Sequence, residues 1–496
     1  MRSLSLSVSL LLLLPLSQAL QWPLSLQKLF ASPLKVAVVG AGASGSSTAF
    51  FLARAAKRLG KDVQIDVYEK EAYVGGRSTV VYPFGDTTLA PIELGASIFV
   101  DANKHMVRAL SEWNLSTVPF DDAEYVGIWD GDEFAVIMHS DKPTWWDTAK
   151  LVYRYGLLAP VRTQRLVKAL ISNLNALYTS PLPPFPTVDA LSAALGFTPY
   201  TASDAKTYLA SKGIRGLFPE ELMDGATRVN YAQSIDEIHA LGALVSMAAN
   251  GANSVQGGNW QVFDHMLKDS GAKVRLNTTV AEVNPKGDSW QVLTSSGTKA
   301  SYDHVVLAAP LHLSPYTLPS NLSSSVPQAP YVHLHVTLLV TSTPGAKPEF
   351  FNLPPETALP DMILTTSKKG REAVKAFNSL SYHGATAGGW VCKIFSMQPL
   401  SDAWLDAAFG SSNILWTYRK EWDAYPYLLP TPAEPSPYAP MQLGKGLWYT
   451  SGWEPWVSTM ETQSLAGRNV AELIVEGAWG GEERSCAEGK MRGWDC

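Results

Sequence analysis

The first apolar runs after residue 33 predict a strand–turn–helix–strand unit. Residues 34–39 form a short β-branched run, and a glycine-rich turn follows at residues 40–45. Apolar positions then recur at helical spacing until Gly60, and a second β-branched run at residues 63–68 ends at Glu69. Such runs are typical of a buried strand, an amphipathic helix and a second buried strand. This order predicts an α/β fold built on a parallel sheet.

The turn between the first strand and the helix matches the dinucleotide fingerprint Gly-x-Gly-x-x-Gly. Gly40 permits the tight turn, Gly42 lets the backbone approach a pyrophosphate, and Gly45 lets helix and strand pack closely. The helix N-terminus, which includes Ser44, would face the anion, and Glu69 would accept hydrogen bonds from a ribose diol. Because strand, turn, helix and acid fall in register, we predict that this unit binds a dinucleotide.

The residues that follow the acid distinguish a flavin from a nicotinamide cofactor. Gly75, Gly76 and Arg77 resemble the second fingerprint of the flavin-dependent amine oxidases, in which the arginine clamps the pyrophosphate by a bidentate contact. This resemblance implies FAD, bound without a covalent link because no Cys or His occupies that family's tether positions. By the same resemblance, further residues expected along the cofactor are Gly95, Ala96, Val280 and Glu454.

Later apolar runs predict the remaining pieces of the nucleotide-binding sheet. Strands are expected at residues 274–280, 302–310 and 447–450. A closing helix is expected from about residue 457 to 478, and its positive end would point at the flavin pyrimidine. The parallel sheet would therefore be completed by residues far apart in the chain.

The hydrophobic pattern in the middle of the chain predicts a second region of the fold that is rich in helices. An Asp-Gly pair within residues 128–134 predicts a β-hairpin, and residues 145–178 predict a helix broken at Pro160. Further helices are expected at 187–196, 204–217 and 234–250, and a strand at 332–341. The aromatic residues on the broken helix can be interpreted as core or as the wall of an apolar channel, and core is favoured; they are Trp145, Trp146, Tyr153 and Tyr155.

Composition and charge exclude two classes of protein. Charged residues make up 17% of the chain and hydrophobic residues 46%, the opposite of the balance that keeps a chain disordered. The formal net charge is -6 and no block of Lys and Arg occurs, whereas nucleic-acid binders normally carry a basic excess. We therefore expect a globular protein without a nucleic-acid partner.

The first residues predict entry into the secretory pathway. Residues 1–19 are typical of a cleaved signal peptide, with Arg2, an apolar run and small residues before an expected cleavage after Ala19. No later run reaches 18 apolar residues, so no transmembrane span is predicted. The protein is expected in the secretory pathway, and then in a vacuole or lysosome or outside the cell.

In the secretory pathway, Asn-x-Ser/Thr sequons can be glycosylated and cysteines can form disulfides. Asn114, Asn277 and Asn321 begin Asn-x-Ser/Thr sequons and are candidate glycosylation sites, with Asn277 least favoured because it lies in a strand-like run. The three cysteines are Cys392, Cys486 and Cys496. They form no Cys-x-x-Cys motif, and a loop joining the last two stays open as an alternative to free thiols.

Two other kinds of chemistry lack their expected residues. His333 and His335 alternate on a predicted strand, but no Cys, Asp or third His accompanies them at metal-ligand spacing, so no metal site is predicted. No Gly-x-Ser-x-Gly elbow occurs, so no hydrolase nucleophile is predicted.

Taken together, the motifs resemble the prenylcysteine oxidases, also called prenylcysteine lyases. The specific motifs are residues 228–233, 257–259 and 363–366, and the resemblance runs in order through nearly the whole chain. It implies a discontinuous Rossmann-type FAD-binding domain and a second, α+β substrate domain. The expected limits are 1–19 for the signal peptide, 34–120, 260–315 and 441–480 for the FAD domain, 121–259 and 316–440 for the substrate domain, and 481–496 for a C-terminal tail.

The resemblance also implies a reaction. The thioether of farnesyl- or geranylgeranylcysteine would be oxidised with O2 as acceptor, giving a prenyl aldehyde, free cysteine and hydrogen peroxide. The flavin carries such chemistry, so no acid–base pair is required and no catalytic residue is named. Two alternatives share every nucleotide motif: a flavin amine oxidase, and a secreted FAD-binding glycoprotein without turnover.

Overall fold

The computed structural model describes residues 32–119, 124–139, 144–179, 181–249, 251–370, 377–386, 388–431, 436–481 and 486–496. The predicted signal peptide lies outside the described residues. The strands are β1 Leu34–Val39, β2 Val63–Tyr68, β3 Val80–Val81, β4 Ile92–Glu93, β5 Thr117–Pro119, β6 Tyr125–Trp129, β7 Phe134–His139, β8 Asn253–Val255, β9 Lys273–Arg275, β10 Val280–Lys286, β11 Ser289–Thr294, β12 Lys299–Tyr302, β13 His304–Leu307, β14 Tyr331–Thr341, β15 Met362–Thr365, β16 Ser379–Thr386, β17 Gly389–Ser396, β18 Ile414–Pro426, β19 Gln442–Gly444 and β20 Leu447–Tyr449. The α-helices are α1 Ala43–Leu59, α2 Lys104–Trp113, α3 Trp145–Tyr155, α4 Leu158–Thr179, α5 Val188–Ala194, α6 Thr198–Thr201, α7 Ala205–Ser211, α8 Asp224–Tyr231, α9 Ala240–Ser246, α10 Trp260–Ser270, α11 Ser320–Ser323, α12 Asp402–Phe409 and α13 Met460–Trp479.

A six-stranded sheet combines strands from three separated stretches of the chain, in the order β19–β20–β13–β1–β2–β9. Strand β1 pairs in parallel with β2 and β13, which places Val39 opposite Tyr68 and Leu307. Both faces of β1 are buried, because Val36 and Val38 pack into one hydrophobic core, and Ala37 and Val39 pack into another. The predicted α/β class with a parallel sheet is confirmed, and the predicted domain limits stay predictions.

A second, seven-stranded sheet has the order β18–β14–β17–β16–β15–β6–β7. Its pairs are antiparallel except for β15 with β6. The predicted hairpin is present as β6 and β7, joined by four residues rather than by a two-residue turn, and the strand predicted at 332–341 is β14. A separate three-stranded sheet, β10–β11–β12, lies in sequence between β9 and β13.

Several predicted boundaries are wrong, each for a local reason. The long helix of the middle segment breaks at Gly156, which has a φ of 71°, and not at Pro160. Pro160 falls in the first turn of α4, where the amide hydrogen that proline lacks has no helical acceptor. The helix expected at 234–250 is only Ala240–Ser246, because the side chain of His239 caps its N-terminus. The helices predicted at 187–196 and 204–217 are the shorter α5 and α7.

The strand predicted at 274–280 is also wrong, since a turn divides it into β9 and β10. Asn277 has a φ of 50°, and the amide of Thr278 donates to the carbonyl of Glu69 at 2.8 Å. The chain therefore bends at the point where it passes the end of β2. The turn is exposed, so the reason for disfavouring Asn277 as a glycosylation site, burial in a strand, does not apply.

Three of the four aromatic residues of α3 belong neither to the core nor to a channel. Trp145, Trp146 and Tyr153 are exposed to solvent, and only Tyr155 is partly buried, against Phe218. Both interpretations offered for the first three side chains are wrong. Helical periodicity alone does not reveal which face of a helix meets the protein.

Helix α13 packs along α1 and brings the end of the chain into the core. The two helices approach so closely that a Cβ on Gly467 would lie 2.4 Å from the carbonyl oxygen of Ser44. Trp494 is buried against Phe50 and Phe51 of α1, and a disulfide joins Cys486 to Cys496. The C-terminal segment is therefore part of the packed structure. Of the two alternatives left open for the last two cysteines, the structure has the Cys486–Cys496 disulfide. Cys392 is a buried free thiol.

Candidate FAD and substrate site

The glycine turn at the end of β1 is packed tightly enough to exclude side chains. A Cβ on Gly45 would lie 2.0 Å from the carbonyl oxygen of Gly40, so the helix start and the turn touch backbone to backbone. Helix α1 has no side-chain N-cap and no acid in its first turn. Its first amide groups therefore have the arrangement that binds a pyrophosphate at a helix N-terminus. Ser44 lies there, and its hydroxyl accepts a hydrogen bond from Thr450 at 3.0 Å.

Glu69 lies at the end of β2 with its carboxylate turned back over the turn. One oxygen accepts the amide hydrogen of Ala41 at 2.8 Å, and the other accepts that of Glu71 at 2.9 Å. Burial raises the pKa of Glu69, and these two amide donors oppose the shift. Each carboxylate oxygen keeps a further lone pair, so the side chain can still accept the hydroxyls of a ribose.

The two fingerprints meet across this turn. Gly42 and Gly75 form a parallel bridge, and the amide of Gly75 donates to Ala41 at 2.9 Å. A cradle made of two glycine segments, an uncapped helix start and a carboxylate fits the pyrophosphate and ribose of a dinucleotide. The residues present therefore fit the nucleotide half of FAD. Val280, predicted beside the adenine, is buried at the start of β10 next to this region.

Arg77 is held by partners that the sequence did not indicate. Its guanidinium forms an ion pair with Glu454 at 2.8 Å and donates to the carbonyl of Ala424 at 2.7 Å. Glu454 also accepts the hydroxyl hydrogen of Tyr331 at 2.9 Å. Two predicted cofactor residues from distant parts of the chain are thus brought together. The pairing fixes the arginine beside the second fingerprint while other donors of its guanidinium remain for a phosphate.

The segment that contains Gly95 and Ala96 is locked by Asn259. The Asn259 side-chain amide donates to the carbonyls of Ala96 and Ser97 at 3.0 and 2.9 Å, and its backbone amide donates to Glu93 at 2.6 Å. Motif 257–259 was singled out in the sequence without a role. In the structure it positions the loop that the family resemblance places along the cofactor.

A buried lysine beside the same segment was missed by the sequence analysis. Lys393 of β17 donates to the carbonyl of Glu93 at 2.6 Å and to the hydroxyl of Ser97 at 2.8 Å. Burial lowers the pKa of Lys393 and raises the pKa of Glu93, while their opposite charges oppose both shifts. One carboxylate oxygen of Glu93 is buried without a hydrogen-bond partner among the described residues. Perturbed ionisable groups of this kind cluster at functional sites.

An apolar cavity adjoins the cofactor segments. It contains about 970 Å³ of space not filled by protein atoms, including its open mouth, and its walls come from residues 98–103, α4, α8, α9 and the start of α13. Met460 lines it, and the sulfur of Met460 lies 3.7 Å from the hydroxyl of Ser78, the residue after Arg77.

The family-specific motifs meet behind this cavity. Buried Arg228 donates to the hydroxyl of Thr365 at 2.9 Å and to the side-chain carbonyl of Asn378 at 3.0 Å. Asn230 and Tyr231, from the same motif, line the cavity. Motifs 228–233 and 363–366 therefore form one network, which joins the cavity wall to the edge of β15.

The two histidines of β14 do have an acidic neighbour. Strand β18 pairs with β14 and places Glu421 opposite His335 and Asp423 opposite His333. Ligand atoms of His333, His335 and Glu421 lie within 4.8 Å of one another, and His333 also lies 3.2 Å from Asp423. The two histidines therefore do have acidic neighbours, and the expectation that they lack them is wrong. The absence of a metal ion at this place stays a prediction. A linear motif search cannot detect ligands contributed by a partner strand.

The predicted glycosylation sites are accessible. Asn114 ends α2, Asn277 lies in the β9–β10 turn and Asn321 lies in α11, and all three residues are exposed. No helix among the described residues combines the length and apolarity that crossing a membrane requires.

Comparison with known proteins decides the family. The prenylcysteine lyase family model matches residues 138–486, and a model for an NAD(P)-binding Rossmann-like domain matches residues 38–113. The chain belongs to the prenylcysteine lyase family. Among relatives of this family, farnesylcysteine lyase of Arabidopsis thaliana is 28% identical over 483 residues and covers 92% of each chain. Prenylcysteine oxidase 1 of Rattus norvegicus is 30% identical over 493 residues and covers 91% of each.

Solved structures show the same fold in more distant proteins. A putrescine oxidase with bound putrescine superimposes with a TM-score of 0.57 at 17% identity, covering 90% of this chain and 100% of its own. A fatty acid isomerase from P. acnes superimposes with a TM-score of 0.58 at 12% identity, covering 90% and 98%. The predicted resemblance to a prenylcysteine oxidase on an amine-oxidase-like fold is confirmed.

Proposed function

We propose that this protein is an FAD-dependent oxidase that cleaves the thioether of a free prenylcysteine. The overall reaction consumes prenylcysteine, O2 and water, and gives a prenyl aldehyde, cysteine and hydrogen peroxide. Membership of the prenylcysteine lyase family supports the reaction class. The names of the relatives, farnesylcysteine lyase and prenylcysteine oxidase, support the substrate class.

The observation that carries the proposal is the apolar cavity and its wall. Residues of the family-specific motif, Asn230 and Tyr231, line a cavity whose other walls are mostly apolar. Burying an isoprenoid chain there would contribute about 0.8 kcal/mol for each CH2-sized group. A cavity of this kind favours a lipid-like substrate over a small diamine, which would need a polar anchor at each end.

The residues of the chain bind and position, and the cofactor supplies the redox chemistry. Bound FAD would accept the hydride from the carbon next to sulfur and would be reoxidised by O2. The glycine turn and Glu69 hold the nucleotide, and Asn259 holds the loop beside it. Glu461, an acid in the cavity wall, already accepts hydrogen bonds from the amides of His105 and Met106 and from the hydroxyl of Tyr178. It is therefore a structural acceptor rather than a free base.

The test follows the flavin directly. Purified protein is mixed anaerobically with farnesylcysteine, and the absorbance of the oxidised flavin should disappear. Air should then restore it with formation of hydrogen peroxide and farnesal. Bleaching by polyamines but not by farnesylcysteine would move the function to amine oxidation, and bleaching by neither would indicate an FAD-binding protein without turnover.

A cavity variant makes the test specific. Leu174 of α4 lines the cavity, so Leu174→Trp should fill it and raise KM for farnesylcysteine by about tenfold or more while flavin content is unchanged. Leu415→Trp on the exposed side of β18 is the matched control and should behave as wild type. Equal KM values for the two variants would contradict the cavity as the prenyl site.

We also propose that the protein follows the secretory route to a vacuole, a lysosome or the outside of the cell. The support is the signal-peptide pattern of residues 1–19 and the exposed sequons at Asn114 and Asn321. N-terminal sequencing of protein from a eukaryotic host should begin at Leu20, and glycosidase treatment should lower its mass. A mature protein that begins at Met1 and keeps its mass would contradict this route.

A further inference from the structure

Helix α3 and the start of α4 expose an unusual amount of apolar surface. Among the described residues, 14 large hydrophobic side chains are exposed, and half of them fall between residues 145 and 161. Tyr153 is 95% exposed, Trp145 78% and Trp146 56%. We call this surface the apolar ridge; it comprises Trp145, Trp146, Val152, Tyr153, Leu157, Leu158 and Val161. Single exposed apolar side chains are common on soluble proteins, whereas a group of this size on two consecutive helices marks an interaction surface.

The exposure results from the way in which α3 is fixed to the protein. Thr144 and Asp147 form a capping box, and buried Asp147 also lies 2.6 Å from the ring of His139. On the same inner face, Arg154 pairs with buried Glu221 at 2.6 Å. Asp147 and Arg154 therefore anchor the inner face of the helix, which also carries Leu151 and Tyr155, and the larger aromatic rings of Trp145, Trp146 and Tyr153 are left facing outward.

The exposed charged side chains of α3 and α4 all have one sign. Within residues 144–179 the exposed charged side chains are Lys150, Arg162, Arg165 and Lys168, whereas the whole chain has a formal net charge of -6. Exposed tryptophan and tyrosine next to lysine and arginine is the composition of helices that lie in a membrane interface. The cations would meet anionic headgroups while the rings enter the acyl boundary.

Helix α4 connects the ridge to the cavity. Its first residues, Leu158 and Val161, belong to the ridge, and its later residues Leu170, Ile171 and Leu174 line the cavity. We propose that the apolar ridge docks the protein onto the surface of a bilayer that contains anionic lipid. The docking itself does not depend on the proposed reaction, so its failure and the failure of that reaction are measured separately.

The experiment is sedimentation of the purified protein with vesicles. Vesicles of phosphatidylcholine and phosphatidylserine in equal parts should carry the wild-type protein into the pellet, and vesicles of phosphatidylcholine alone should carry less. The variant Trp145→Ser, Trp146→Ser, Tyr153→Ser should lose about tenfold or more in partition coefficient, since three interfacial rings are removed. Arg165→Glu with Lys168→Glu should lose the preference for the anionic vesicles.

Matched controls separate docking from misfolding and from general stickiness. Leu415→Ser with Leu429→Ser removes exposed apolar side chains elsewhere, and Lys445→Glu reverses an exposed charge elsewhere; both should sediment as wild type. Flavin content and melting temperature of the ridge variant should equal those of wild type, because the substituted side chains are exposed. Wild-type protein that stays in the supernatant with anionic vesicles, or a ridge variant that binds as well as wild type, would overturn the proposal. A dimer that the ridge variant dissociates, without vesicle binding, would also overturn it and make the ridge a contact between two copies.

Discussion

Replacing Gly45 by alanine tests the closest contact in the nucleotide cradle. The added Cβ would lie 2.0 Å from the carbonyl oxygen of Gly40, and Cβ atoms in real structures essentially never come within 3.0 Å of another heavy atom. The helix start and the turn would have to separate by about 1 Å or more, and neither partner is a flexible side chain. The two elements that would carry the pyrophosphate are therefore the ones that move.

The size of the effect follows from this geometry. Overpacking a tight site costs about 1–3 kcal/mol. If that cost falls on the bound form, the affinity for FAD should decrease by about 10- to 100-fold. The free energy of unfolding should also decrease by about 1–3 kcal/mol, because Gly45 is buried in the first turn of α1 against Gly40 and Ala308.

The assay pairs this variant with Gly477→Ala. Gly477 lies in the last turns of α13, is exposed, and has no atom within 4 Å of the position of an added Cβ. There alanine should stabilise the helix by about 0.5–1 kcal/mol and leave the flavin unaffected. FAD retained after gel filtration, the dissociation constant for added FAD and the melting temperature are measured for both variants.

One result would refute the reasoning. If Gly45→Ala retains FAD and melts like wild type, the contact with Gly40 is not rigid or the turn does not hold the cofactor. A loss of stability without a loss of FAD would distinguish these two explanations. It would show that the contact between Gly45 and Gly40 is rigid and that the nucleotide does not bind at this turn.

Three further outcomes are expected. Glu69→Arg should release FAD on gel filtration, because it removes the acceptor that caps the Ala41 amide and adds a cation, whereas Glu69→Gln should retain more; equal retention would contradict the role of the carboxylate. Arg228→Met should lower the free energy of unfolding in urea by about 3 kcal/mol, since buried acceptors lose a charged donor, and an unchanged urea midpoint would count against the network. Burial lowers the pKa of His239 to about 4 from an ordinary value of 6.5, so the unfolded chain binds the extra proton first as the pH falls. Stability should therefore be lost by about 3 kcal/mol between pH 6.5 and 4, and His239→Asn, which keeps an N-cap acceptor, should remove this part of the pH dependence.

The nucleotide cradle could be predicted from the sequence because its parts are local. Gly40, Gly42, Gly45 and Glu69 lie within one strand–turn–helix–strand unit, and backbone geometry dictates which residues fit each position. The strand at 332–341 was predictable for a similar reason, since its run of β-branched and other apolar residues is long. The non-covalent binding of FAD and the individual cofactor contacts stay predictions.

Residues that act through distant contacts could not be predicted. Nothing in the sequence near Lys393 distinguishes it from other lysines. Its partners Glu93 and Ser97 lie 300 and 296 residues away in the chain, and only the folded structure brings them together. The pairing of Arg77 with Glu454, and of the histidines of β14 with Glu421, likewise depends on which strands become neighbours. No local pattern encodes such pairs, because side chains from separated elements meet only after the sheets have formed.

The sequence by itself determined the nucleotide-binding unit and the approximate places of the longer elements, whereas the tertiary structure decided which faces are buried. Helix α3 shows the difference, since its aromatic residues have the spacing of a core helix and yet Trp145 and Tyr153 are exposed. The ion pair of Arg154 with Glu221 and the capping box at Asp147 hold these two side chains inward, on the face that also carries Leu151 and Tyr155. Periodicity specifies that a helix has two unlike faces, and only the contacts made by the surrounding chain specify which face meets water.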